Sequence, residues 1–100
     1  MERKKLCLSW KPWLMNKLIF DADAFKEYME WQIKDRKTLK KINDLIIDIQ
    51  RNGLLKGTGK PEILKHLKAY SRRIDDTNRL IYDTDEKQNL RIISCKGHYQ

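Results

Sequence analysis

Two cysteines, two prolines, two histidines and four glycines are a thin supply for 100 residues. Each shortage removes a class of protein. Cys7 and Cys95 form at most one pair, so no disulfide framework is available, and two thiols suit a reduced protein of a reducing compartment. Neither belongs to a CxxC pair or to a Cys/His ligand spacing, which argues against a zinc site, and no other metal or cofactor is expected. No segment approaches the roughly 20 apolar residues of a membrane span. The N-terminal "MERKKLCLSWKPWLMNKLIF" has the basic start of a signal peptide. Lys11 and Pro12 break its apolar run, however, and no small-residue cleavage site follows. A cytoplasmic protein that does not use a membrane is the expectation.

Acid is also in deficit. Twenty-two Lys and Arg face 14 Asp and Glu, a formal charge of +8. An excess of that size costs the compact state self-repulsion and suits a polyanionic partner. Nucleic acid comes first, an acidic protein second and an anionic membrane surface third. Hydrophobic residues make up 40% of the chain, enough for one small domain and too many for general disorder. Met15 is a plausible start directly before "KLIF". Residues 1–14 are therefore read as an N-terminal extension, a start placed too early, and residues 15–100 as the domain.

Along that domain, residues 16–20 form a short buried strand. Asp21 and Asp23 then supply capping oxygens for a helix whose stripe Phe25, Tyr28, Met29 and Ile33 is expected in the core. A second helix runs from about Thr38 to Asn52, with Leu39, Ile42, Leu45, Ile46 and Ile49 on one face and Gly53 as its stop. "LLKGTGKPE" reads as a loop. Its "GTGK" lacks the spacing of a phosphate-binding loop. Three strand-like runs follow, "KAYSRRI", "RLIYD" and "LRIISCK", joined by the turns "DDTN" and "TDEKQN". The expected fold class is α+β: an N-terminal strand, a two-helix hairpin, then an antiparallel meander sheet with the helices on one face.

Alternation in "KAYSRRI" puts Tyr70, Arg72 and Ile74 on one face and Ser71 and Arg73 on the other. Arg79 opens the neighbouring strand. Lys60, Lys65, His66 and Lys68 approach from the loop, giving a cationic concavity suited to a phosphodiester backbone. Tyr70, Tyr82 and Tyr99 offer flat surfaces for bases. One acid, Glu62, stands among these cations, and His98 stands near the chain end. RNA carries its own nucleophile, the 2′-hydroxyl. Its cleavage needs a base, an acid and cations at phosphorus. A carboxylate and an imidazole can fill the first two roles, and arginine forks match phosphate oxygens. On residue type alone, Glu62 fits a solvated loop carboxylate better, and His98 a loose terminal histidine.

The stretches "NKLIF", "YMEWQIKDRKTLKKINDLIIDIQRNG", "GTGKPEILKH", "SRRI", "NRLIY" and the closing "HY" occur in an order that resembles the YoeB/Txe toxins of bacterial type II toxin–antitoxin systems, within the RelE-like group. The resemblance covers residues 15–99. It implies a metal-independent, ribosome-dependent mRNA endonuclease that enters the ribosomal A site. It also implies an acidic, partly disordered antitoxin of the YefM/Axe kind, operator DNA binding only as the toxin–antitoxin complex, and a homodimer. By position it makes Glu62 the general base, His98 the general acid, Arg79 and Arg73 phosphate contacts, and Tyr99 an orienting residue. Lys65 becomes a basic residue beside the site, and Lys60, His66, Lys68, Arg72 and Tyr70 are expected to touch RNA. The chain departs from the family in the short "LKAY" between "LKH" and "SRRI", in Gly97 before the histidine, and in Gln100 after the tyrosine. The alternative from another class is a RelE-like protein that binds antitoxin, ribosome or RNA without cutting.

Overall fold

A computed structural model describes residues 17–97; residues 1–16, the expected extension among them, and His98, Tyr99 and Gln100 lie outside them. The described chain runs β1 (Leu18–Phe20), α1 (Ala22–Lys34), α2 (Arg36–Asn52), β2 (Glu62–Leu64), a single 3-10 turn at Lys65–Leu67, β3 (Ala69–Arg73), β4 (Arg79–Thr84) and β5 (Leu90–Ser94). The five strands form one sheet in the order β1-β5-β4-β3-β2. Strands β2 to β5 pair antiparallel, while β1 lies parallel to β5 with Leu18 opposite Leu90. A parallel neighbour requires a crossover, and the helix hairpin is part of the connection that provides it.

The corner of the hairpin is a single residue. Asp35 ends α1, and its carboxylate caps α2 by accepting from the N–H groups of Lys37 and Thr38 at 3.1 and 3.2 Å. Helix α2 behaves as its periodicity predicts. Ile42, Leu45, Ile46 and Ile49 are buried against Leu80, Tyr82, Leu90 and Ile92 of the sheet. Burial of four such aliphatic side chains is worth on the order of 10 kcal/mol of transfer free energy before ordering costs. Gly53 closes α2 at φ +100, with its N–H on the Ile49 carbonyl.

Three expectations are corrected here. Of the expected stripe only Tyr28 packs against the core: helix α1 buries Ala24, with Tyr28 and Trp31 partly buried, and leaves Phe25 and Met29 about half exposed and Ile33 87% exposed. Ala24 has no bulk beyond Cβ, so the helix settles on that residue, and the two aromatics one and two turns on reach the core. Strand β1 is only partly buried because it is a sheet edge. Finally, the chain after Pro61 is not loop: Glu62–Leu64 adds a fifth strand to β3.

The sheet face under the helices holds an arginine. Arg72 is fully buried and makes five hydrogen bonds. Nε donates to the Tyr82 hydroxyl, NH1 to Asp48 and the Thr58 carbonyl, and NH2 to the carbonyls of Gly53 and Lys56. The Tyr82 hydroxyl donates in turn to the Leu54 carbonyl at 2.6 Å. This cluster folds the segment after α2 onto the sheet. Gly57 takes part sterically, since a Cβ there would fall 1.9 Å from the Asp48 carboxylate.

Burial pushes the Asp48 carboxyl up. Hydrogen bonds from the Thr58 N–H, Arg72 and Asn52 outweigh it and hold the group below its usual value. A carboxyl depressed in the folded state stabilises fully above the unfolded value, near 4, and less as pH falls through the folded one. Asp48→Ala should cost about 3–5 kcal/mol, because it strands a buried guanidinium. It should also flatten the fall in urea midpoint between about pH 5 and pH 2 relative to the wild type.

Cys95 is fully buried. Its thiol is pushed up to about 12, first by burial and then by the neighbouring Glu27 carboxylate. The thiolate is the reactive form. In native protein at pH 8, mass spectrometry should find Cys95 unalkylated by iodoacetamide after times that modify it fully in urea.

Candidate active site

The meander delivers a set of charged groups to the sheet face away from the helices. Across β2, β3 and β4 the register pairs Glu62 with Ser71 and Arg73 with Arg79. Side chains alternate along each strand. Because Arg72 and Tyr82 point to the helices, Ser71, Arg73 and Arg79 point the other way, with Glu62 beside Ser71. Contacts agree: Arg79 NH1 donates to Glu62 Oε1 at 2.9 Å and to the buried Ser71 hydroxyl at 3.2 Å. Glu62 remains 57% exposed and Arg79 28%. The carboxylate is held at a guanidinium without being sealed from solvent.

The backbone of Arg79 ties this pair to the chain end. Its N–H donates to the Gly97 carbonyl at 2.8 Å, and the Gly97 N–H donates to Asn78 Oδ1 at 2.8 Å. Asn78 is fixed in its turn by Asp75, whose Oδ1 receives the N–H groups of Thr77 and Asn78. Gly97 is at φ +74, a backbone that glycine adopts without strain. The expected acid His98 and the orienting Tyr99 follow it and lie outside the described residues.

The other expected residues divide. Arg73 is exposed beside Arg79. Lys60 is exposed just before Pro61, at φ +50. Lys65 and His66 are exposed on the 3-10 turn, and Lys68 at φ +53 closes it. This turn is all that the short "LKAY" leaves between β2 and β3. Two expectations are corrected. Arg72 has no surface to offer RNA, because all its hydrogen bonds go to internal acceptors. Tyr70 is half-buried on the helix side of the sheet, its ring stacked 5.8 Å from that of Tyr82. Its ring therefore belongs to the core layer and not to the charged face, and Tyr82 is fully buried. Asn78 was passed over in sequence as an ordinary turn residue. Its signal was its place directly before Arg79.

Among the described residues no group of three or more His, Cys, Asp or Glu is placed to hold a metal ion. Two hollows of about 360 Å³ open on the helix layer. On the charged face Ser71 is buried, while Glu62 and Arg73 are exposed.

Residues 20–99 match a family described as the YoeB-like toxin of the bacterial type II toxin–antitoxin system. This chain belongs to that family. Toxin YoeB of Streptomyces coelicolor is 46% identical over 85 residues, spanning 83% of this chain and 99% of that one. Toxin YoeB of Escherichia coli K12 is 41% identical over the same spans. In the crystal structure of the heterotetrameric YoeB–YefM toxin–antitoxin complex of Staphylococcus aureus, the matching chain has TM-score 0.76 and 47% identity, covering 85% of this chain and 98% of that one. A YoeB/ParE toxin from Agrobacterium tumefaciens has TM-score 0.78 at 37% identity, covering 84% and 100%. The YoeB-like fold, two helices on a five-stranded mixed sheet, is the one described above. No helix among the described residues is long and apolar enough to cross a membrane.

Exposed ion pairs contribute little, typically under about 1 kcal/mol. Glu62→Gln should therefore leave the urea midpoint nearly unchanged, within about 1 kcal/mol of wild type.

Proposed function

We propose that this chain is a ribosome-dependent mRNA endonuclease. The observation that carries the reading is the Glu62–Arg79 pair on the sheet face opposite the helices, with Arg73 beside it and the chain end bonded to the Arg79 backbone. In the proposed reaction, Glu62 takes the proton of an mRNA 2′-hydroxyl. The 2′-oxygen attacks the adjacent phosphorus, and the bond from phosphorus to the 5′-oxygen breaks. His98 gives its proton to that oxygen. The products are a 2′,3′-cyclic phosphate and a new 5′-hydroxyl. No metal enters any of these steps.

Arg79 does two jobs in sequence. Before substrate arrives it holds the Glu62 carboxylate. An incoming phosphate offers stronger charge and a matching fork geometry, so Arg79 turns to it with Arg73. Glu62 is then left with a free lone pair beside the 2′-hydroxyl. Charge that develops on the phosphorane meets cations already in place. Lys60, Lys65, His66 and Lys68 form the approach for the backbone, and Tyr99 orients the substrate. The proposed partners are the ribosomal A site with its mRNA and an acidic antitoxin that covers the cationic face, the latter supported by the YoeB–YefM complex of the Staphylococcus aureus relative. The pair would bind operator DNA as a complex, the toxin could pair as a homodimer, and all of this belongs to the cytoplasm.

Primer extension on translated mRNA tests the reading. Wild-type protein should cut within ribosome-bound message. Glu62→Gln and His98→Gln should each lower the rate about 10²–10⁴-fold, the range typical of a lost general acid or base. Arg79→Ala should be similarly impaired. Uncut message with wild-type protein would leave a module that only binds. Undiminished cutting by both Glu62→Gln and His98→Gln would remove the acid–base pair.

A further inference from the structure

The segment from Ser94 to Gly97 is held from a direction that the proposed chemistry does not use. Glu27 of α1 reaches across to it. Its Oε1 accepts the Cys95 N–H at 2.8 Å and the Ser94 hydroxyl at 3.2 Å. One turn further along the same helix, Trp31 Nε1 donates to the Cys95 carbonyl at 2.9 Å. Both peptide groups of Cys95 are thus gripped by side chains of one helix. Two residues later, Gly97 is gripped from the other side by Asn78 and by the Arg79 N–H.

None of these contacts is required by the sheet. Ser94 is the last residue of β5, and residues 95–97 have left the ladder. A chain that has left its strand normally frays unless it is tied down. In this one the peptide groups of Cys95 and Gly97 alone take four hydrogen bonds, immediately before His98 in the sequence. Buried polar groups of this kind are costly to leave unpaired, so their geometry is strongly imposed.

We infer that Glu27, Trp31 and Asn78 are positioning residues for the general acid: they fix the chain on both sides of Lys96, directly ahead of His98 in the sequence. The inference rests on the nuclease reading. It assigns these residues no contact with RNA. Their loss should mimic loss of the acid and not loss of the base.

The test uses full-length protein, programmed ribosomes and two messages. One message has an ordinary linkage at the cut site. The other has sulfur in place of the bridging 5′-oxygen. Sulfur leaves as a thiolate without needing a proton, since thiols are far more acidic than alcohols. A misplacement of about 1 Å costs on the order of a hundredfold. On the ordinary message, Glu27→Ala should cut about ten- to a hundredfold more slowly at saturating ribosomes, with the half-saturating concentration unchanged. On the sulfur message, Glu27→Ala and His98→Gln should both return to within about threefold of wild type, whereas Glu62→Gln should not. Glu27→Gln keeps an acceptor oxygen and should stay near wild type on both messages. Trp31→Phe removes the indole donor and keeps an aromatic ring, and the urea midpoints of this variant and of Glu27→Ala separate a fold defect from lost positioning. Trp31→Phe should show a smaller defect of the same kind.

Two results overturn the inference while leaving the nuclease reading intact. One is wild-type cutting by both Glu27→Ala and Trp31→Phe. The other is a defect that persists on the sulfur message, as for Glu62→Gln. A wild-type protein that cuts neither message removes the nuclease reading, and this inference with it.

Discussion

Among the described residues Arg72 is the charged side chain that is fully buried, and the face that bears Glu62 depends on it. The segment after α2 sets Leu54 against the core, and its own carbonyls converge on the guanidinium. Asp48 supplies the counter-charge from α2, so the same five bonds join helix, loop and sheet. The fully buried guanidinium also places its strand neighbours. If Arg72 faces the helices, Ser71 and Arg73 must face the other way, and the antiparallel register then sets Glu62 opposite Ser71 and Arg79 opposite Arg73.

The same logic explains what could and could not be read in advance. Helix α2 was legible because its four core residues repeat at helical spacing and its stop is a glycine. Alternation in "KAYSRRI" correctly turned Arg72 inward. Its charge argued for RNA instead, and charge was the poorer guide, because nothing local announces five acceptors brought from residues 48–58 and 82. Strand β2 was hidden for a related reason. It has three residues, follows a proline, and exists through pairing with β3. The face of α1 was misjudged because the residue that decides it, Ala24, is the least conspicuous apolar residue in the helix.

At the site, Glu62, Arg73 and Arg79 were legible as a cationic face with one acid. Their mutual contact was not, because it depends on cross-strand register. The contributions of Asn78, Glu27 and Trp31 were invisible for another reason: each works through a peptide group of a distant segment, and no spacing in the chain encodes that. The two layers therefore divide the labour. The helices supply burial and anchor the end of β5, while the opposite sheet face carries Glu62, Arg73 and Arg79.

Trp31 gives this arrangement an optical consequence. The other two tryptophans, Trp10 and Trp13, precede Met15. A protein beginning at Met15 therefore has one indole, and that indole is bonded to the Cys95 carbonyl. Its emission is a built-in gauge of whether the C-terminal segment is seated or released, readable without any attached dye.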